Sequence, residues 1–466
     1  MAKHPLSKRD EERQVTRRAL IKWSVAAGAA LGLSRAKIFD ILEGTAGRDV
    51  AMAAAEHATA RSIHLVAGRG GLAWFSLLWP QVQVAMAGNN SFAWHKPGQA
   101  QMVAGTAKPF VKGPDTPFAS LTADRQMTCF TCGTNEGHVV QPVSTSELNG
   151  QNIFSIASAL QATTPAVLPL VTITTGQTPL TATGVAGGAT PAKVDTADGI
   201  VGLFNSAASR AGGLLAKTTD AAMYKAHYDA LIQMNRGVNR STQRSAYVTS
   251  QGAAKFLGTN LASKLAVTPE DLTRYGVDAG TRANVAQIAR TFIIAVKAFK
   301  MGLTNSIVMP AMNDDPHEAF SSGDVNTIPA RLRMVFDGLM ADLTNTVDEN
   351  TTRPLSEDTV ITICGDTTKE PLIRSGWPDG SPQNTNTVYV WGGGHLKTGW
   401  FGQVKANGTA EGFDANGNAT AYNGANTARL AMASVAYAIA KRDERAIAAF
   451  ANGITISGKL GIPKQI

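Results

Sequence analysis

Cysteine, long apolar runs and charge are all scarce in this 466-residue chain. Three cysteines, Cys129, Cys132 and Cys364, are too few for a disulfide-built scaffold, so core packing must carry the stability. Cys129-Phe130-Thr131-Cys132 has redox-pair spacing, but no second such pair and no His pair at ligand spacing accompanies it, which argues against a structural zinc site. It reads either as a disulfide or redox pair, or more plainly as two small apolar residues of a buried strand. Beyond the N-terminal region no stretch approaches the ~20 apolar residues of a membrane-spanning helix. Charged residues are 17% of the chain, against 44% hydrophobic, a composition of soluble globular type. The net charge is +8, but residues 1–55 hold ten basic and six acidic side chains, so +4 remains for all that follows. Spread over that length, +4 gives no footing for nucleic-acid binding.

The N-terminus carries a recognisable pattern. Thr16-Arg17-Arg18-Ala19-Leu20-Ile21-Lys22 follows a polar, charged leader and precedes a weak apolar run from Trp23 to Leu33, with Arg35 and Lys37 just beyond. Paired arginines, a modest Ala- and Gly-rich apolar region and a later positive charge form a twin-arginine export signal. Its partner is the twin-arginine translocase, which carries folded cargo out of a bacterial cytoplasm to the periplasm or beyond. Small residues in Val50-Ala51-Met52-Ala53-Ala54-Ala55 offer a cleavage site, so residues 1–55 are expected as signal and leader, with no stable membrane span after cleavage.

From residue 56 on, a single α/β domain is expected. Six β-rich runs, Ser62–Ala67, Gln126–Phe130, Val167–Thr174, Ser306–Met312, Thr359–Cys364 and Thr387–Trp391, are nearly continuous in apolar character, as in a parallel sheet covered on both faces. Helical patterns fall at Ser144–Leu160, Thr281–Met301, Ala330–Thr344 and Thr427–Lys441. Strand and helix in alternation imply right-handed crossovers and a mostly parallel sheet. Residues 176–300 read as a cap or helical insertion, and the Asn- and Gly-rich 405–426 as a long surface loop.

In open α/β sheets ligands bind beyond the C-terminal strand ends, so the residues after each run are the ones to inspect. Asn313-Asp314-Asp315-Pro316-His317 follows the fourth run, Gly365-Asp366-Thr367-Thr368-Lys369 the fifth and Gly392-Gly393-Gly394-His395 the sixth. Asp315 and His317 are close enough in a loop to reach one divalent cation, with Asp366 and His395 expected on the same rim. After the second run, Thr131 or Thr134 at a strand-to-helix turn can act as a nucleophile, with His138 just beyond. Arg69, in Gly68-Arg69-Gly70-Gly71, can hold an oxyanion, and Lys369 is a second cation for substrate. That glycine turn lacks the Gly-Lys-Ser/Thr end of a phosphate-binding P-loop. Each of these residues also has a plainer role, as turn former or helix cap.

In the order and spacing of these elements the chain resembles domain-of-unknown-function family 1501, a twin-arginine-exported branch of the alkaline phosphatase and sulfatase superfamily. Arg61-Ser62-Ile63-His64-Leu65 running into Gly70-Gly71 is similar to the family's Arg-Ser strand and Gly-Gly turn. Asn135-Glu136-Gly137-His138 is similar to its Asn-x-x-His element, and Asp314-Asp315-Pro316-His317 to its Trp-Asp-Thr-His. Gly365-Asp366-Thr367-Thr368-Lys369-Glu370-Pro371 resembles its Gly-Glu-Phe-Gly-Arg-Thr-Pro, and Gly376-Trp377-Pro378-Asp379 its Gly-Arg-Asp-His-Trp. The resemblance implies an alkaline-phosphatase-like three-layer α/β/α sandwich and metal-assisted hydrolysis of phosphate or sulfate esters. It adds Asp379 to the implied ligands of a divalent metal, zinc, manganese, iron or calcium. The chain lacks an Asp in the first-strand turn, a His after Asp379 and a Cys-x-Pro-x-Arg sulfatase motif, so a reduced metal site is implied. The other outcome is an envelope binding or structural protein that retains the fold without catalysis. Exchanging Arg17→Lys together with Arg18→Lys is expected to leave the full-length precursor in the cytoplasm, as cell fractionation and the size of the product would report.

Overall fold

The computed structural model describes residues 59–76, 127–164, 166–174, 191–204 and 259–464, with a few isolated positions between 83 and 256. The expected signal and leader, including Arg17 and Arg18, lie outside the described residues. The centre of the molecule is an eight-stranded sheet. In chain order its strands are β1 (Arg61–Ala67), β2 (Met127–Thr131), β3 (Leu170–Ile173), β4 (Ala192–Val194), β5 (Ser306–Pro310), β6 (Thr359–Gly365), β7 (Thr387–Trp391) and β8 (Gly399–Phe401). Across the sheet they lie in the order β8-β2-β7-β6-β1-β5-β3-β4. β1 pairs in parallel with β5 and β6, and β3 with β5 and β4. β7 alone runs the other way, antiparallel to β6 and β2, while β8 runs with β2. The fold is therefore α/β with a mixed, mostly parallel sheet.

All seven residues of β1 are buried, which is why that strand shows no alternation of polar and apolar residues. Alternate side chains still separate by face. Ile63, Leu65, Ile307, Met309, Ile361, Ile363, Tyr389 and Trp391 join one hydrophobic cluster, and Val66, Val308, Val360, Val388 and Val390 join another. The first is covered by α1 (Leu72–Ser76), α3 (Ala197–Phe204), α4 (Ala283–Met301) and α5 (Asp324–Asn345); the second by α2 (Ile153–Leu160) and α6 (Gly424–Ile439). Each Val, Leu or Ile fully buried in this way is worth about 1.5–3 kcal/mol relative to exposure. α4 ends where Gly302 takes φ 69, a left-handed cap that costs glycine nothing. Among the described residues, no helix is long and apolar enough to cross a membrane.

Two expectations about organisation are corrected. Part of the 176–300 stretch belongs to the main body: β4 is an edge strand of the sheet, and α3 and α4 build one side of the core. Residues 405–426 are not an irregular loop, for β9 (Gln403–Val404), β10 (Ala410–Phe413) and β11 (Ala419–Ala421) form an antiparallel meander. The Asn407-Gly408 and Asn416-Gly417 pairs are the turns between its strands. The cysteine alternatives also resolve. All three thiols are free and buried, and burial pushes each of them up, Cys364 to about 12, so the accessible, acidic thiol of a redox pair is absent.

The strand ends opposite the C-terminal rim are closed by charge pairs and by the last described residues. Arg61 meets Asp348 at 2.7 Å with both side chains 1% exposed. The other oxygen of Asp348 accepts from the backbone N–H of Asn350 at 2.8 Å. Nearby, the backbone N–H of Ile462 donates to His395 O at 2.9 Å, that of Lys397 donates to Leu460 O at 2.9 Å, and the Tyr437 hydroxyl donates to Ile462 O at 2.7 Å. Removing one partner of a buried ion pair strands the other without solvation. Asp348→Ala is therefore expected to cost about 3–5 kcal/mol in urea unfolding.

Candidate functional site

Because β1, β5, β6 and β2 run the same way, the loops after all four emerge at one rim. The turn after β1 is pressed between two of the others. A side chain at Gly68 would meet Val140 O at 2.7 Å, and one at Gly71 would meet Met312 O at 2.1 Å. Gly70 has φ 83 and lies against the His138 ring and the Asp315 backbone. Only glycine permits both the approach and the backbone angle.

Four side chains converge beside this turn. His138, Asp315, His317 and Asp379 each offer a ligand atom within 4.8 Å of the others. His138 Nε2 lies 2.9 Å from Asp379 Oδ2 and 3.5 Å from Asp315 Oδ2. His317 Nε2 lies 3.3 Å from Asp315 Oδ2 and 3.8 Å from Asp379 Oδ2. Ligands at 2.0–2.1 Å around a tetrahedral zinc would be about 3.3–3.4 Å apart, a spacing these four separations bracket. The group of His and Asp residues can thus hold a divalent metal. The four side chains keep 39–42% of their surface exposed, so solvent reaches them.

The surrounding contacts orient the group. His317 Nδ1 donates to Gly376 O at 2.9 Å, since a carbonyl can only accept, and this leaves Nε2 with the lone pair. Lys369, whose side chain is 0% exposed, donates to Oδ1 of both Asp315 and Asp379 and stands 3.1 Å from His317 Nε2. The two Oδ2 atoms are thereby left facing the imidazoles. Burial pushes the Asp379 carboxyl up, but the hydrogen bond and charge of Lys369, aided by His138, outweigh it and hold the group below the usual range.

The other site residues expected from sequence are dispersed. Asp366 is buried one layer beneath, accepting from the Gly70 N–H at 3.1 Å and the Thr367 N–H at 2.7 Å. It belongs to the support of the glycine turn and not to the four-residue group. Burial pushes its carboxyl up to about 6, opposed by those two N–H donors. Lys369, expected to meet substrate, is instead enclosed by the two carboxylates. Arg69 is exposed on the turn with φ 53, its N–H bonded to Val139 O at 3.0 Å. The backbone of Thr134 is bonded to Ser144 and to the Asn386 amide. His138, expected as a catalytic partner of Thr134, is in the group. His395 lies at the opposite end of the sheet, because β7 is antiparallel and its C-terminal end points away from the rim. There it is buried, with Nδ1 accepting from Arg442 Nε at 3.2 Å.

Two contributors escaped sequence reasoning. The Asn386 side chain donates to Thr134 O, Gly365 O and Asp366 O at 3.1, 2.9 and 3.0 Å, tying the ends of β2 and β6 together. Asp314 accepts from Trp74 Nε1 at 3.1 Å and from Arg282 at 3.0 Å, which seats the loop carrying Asp315. Asn386 precedes its strand, where no motif marks it; the Trp74–Asp314 bond spans 240 residues.

Comparison with protein families, with curated proteins and with solved structures finds no match.

The raised Asp366 carboxyl has a consequence for stability. A group that binds its proton more tightly folded than unfolded is neutral at low pH and costs stability as it ionises. In chelator-treated protein, the urea midpoint of the parent relative to Asp366→Asn is expected to fall as pH rises from about 4 through 6. A constant difference from pH 4 to 8 would contradict it.

Proposed function

We propose that the chain is exported by the twin-arginine translocase to the periplasm or beyond and acts there as a divalent-metal-dependent hydrolase of phosphate or sulfate esters. The observation that carries this reading is the His138–Asp315–His317–Asp379 group, four donors within 4.8 Å of one another on an exposed rim. The mostly parallel sheet with helices on both faces supports an alkaline-phosphatase-like architecture with a reduced, one-metal site. Two imidazoles with two carboxylates suit zinc better than calcium, which takes six to eight oxygens. When bound, such a metal polarises an ester oxygen or lowers the pKa of a water.

The chain's own residues do the rest. Gly376 O fixes the His317 tautomer, Lys369 turns the carboxylates, and Asp366 holds the Gly70 turn against His138. Two carboxylates and one ammonium leave the group with a charge of −1, and a divalent metal in place of the ammonium would cancel it. An anionic ester is repelled by the empty group and no longer by the loaded one. This reading takes hydrolysis by water, which a metal on this group would activate.

A second reading, an envelope binding or structural protein without catalysis, is favoured by one observation: Lys369 already compensates both carboxylates without any metal. The test is a zinc titration of the mature protein beside an Asp315→Ala/His317→Ala variant. One equivalent bound by the parent and lost in the variant, together with phosphatase or sulfatase turnover, is the expected result. Absence of binding in both would overturn the hydrolase reading in favour of the second.

A further inference from the structure

Lys369 stands in an unusual place for a lysine beside a metal site. Its side chain is wholly buried, it donates to Oδ1 of Asp315 and of Asp379, and a third contact of 3.1 Å goes to His317 Nε2. An ammonium has only donors, so the contact to His317 uses the Nε2 lone pair. His317 has no other lone pair to give, because Nδ1 carries the hydrogen donated to Gly376 O. A metal held by the four-residue group needs that same lone pair.

We infer that Lys369 is a built-in competitor of the metal: its ammonium and a divalent cation exclude each other at His317 Nε2, and loading the site requires Lys369 to leave its seat. This inference rests on the metal-site reading given above. Three physical terms point the same way. One lone pair cannot serve both an N–H donor and a metal. Like charges this close in a partly desolvated site repel strongly. The two carboxylates, once free of the ammonium, have their full charge available for the metal. The opposing term is positional, since Lys369 also holds Oδ1 of each carboxylate and so keeps both Oδ2 atoms turned toward the imidazoles. His138, whose Nε2 is bonded to Asp379 at 2.9 Å, supplies a second hold on that carboxylate, so the arrangement survives loss of the lysine in part.

The arrangement gives the protein a state in which the two carboxylates are partly compensated without metal. Two carboxylates this close repel each other without a cation between them, and the lysine offsets that repulsion during folding. The same lysine then sets a threshold of metal concentration below which the site stays in its ammonium form.

The experiment is a zinc titration by calorimetry on the parent and on Lys369→Met, which keeps the unbranched stem, one atom shorter, and deletes the charge. The variant is expected to bind zinc at least tenfold more tightly than the parent. Equal or weaker binding by a folded Lys369→Met would overturn competition and leave Lys369 as a positioning residue, with the metal reading intact. Zinc binding by neither protein would overturn the metal reading and this inference with it. Should Lys369→Met fail to fold, amine acetylation of the parent, read by mass spectrometry, decides. Lys369 is expected to be protected in chelator-treated protein and modified in zinc-loaded protein. Equal protection in both, with zinc bound, would overturn the inference.

Discussion

β1 is paired in parallel on both edges, and every feature of the rim follows from that double pairing. With β5 on one side and β6 on the other in matched register, the loops after all three strands leave the sheet side by side. The glycine turn after β1 is then confined between its neighbours, where Gly71 lies against the Met312 carbonyl and Gly70 against His138 and Asp315. Side chains remote in sequence meet within a few ångströms because three parallel strands end together. A shift of one residue in either pairing would reverse the faces of a strand buried on both sides, which the core does not allow.

Electrostatics then divides the rim into two levels. At the surface, two carboxylates, two imidazoles and one buried ammonium form a closed set. Below it, Asp366 is held by backbone N–H groups under the glycine turn and forms no ion pair with Lys or Arg among the described residues. The two levels are mechanically joined, since Gly70 touches the His138 ring above and donates to Asp366 below. Asn386 adds a lateral tie, using one amide to bridge three carbonyls at the ends of β2 and β6.

Much of this was legible in the chain because buried parallel strands leave continuous apolar runs. All six runs named from sequence coincide with strands, and Asp315, His317, His138 and Lys369 were found by looking just past them. The resemblance to a known family contributed Asp379, which follows no strand. Direction was what the pattern could not carry. An apolar run reads the same in either orientation, so Thr387–Trp391 was taken as parallel and His395 was assigned to the wrong end of the sheet. Depth was equally hidden: Asp366 and Lys369 are three residues apart after β6, yet one supports the turn and the other fills the centre of the group. The Asn- and Gly-rich 405–426 reads in sequence as loop and not as hairpins, since the strands that its turns join are only two to four residues long.

The far end of the sheet is latched by one short segment. Residues 460–463 bond to His395, Lys397, Tyr437 and Arg442, so a stretch that follows all eight strands joins the loop after β7 to the end of α6. Whatever loosens that stretch, a proteolytic cut included, loosens a strand loop and a helix end together, at the end of the sheet away from the four-residue group.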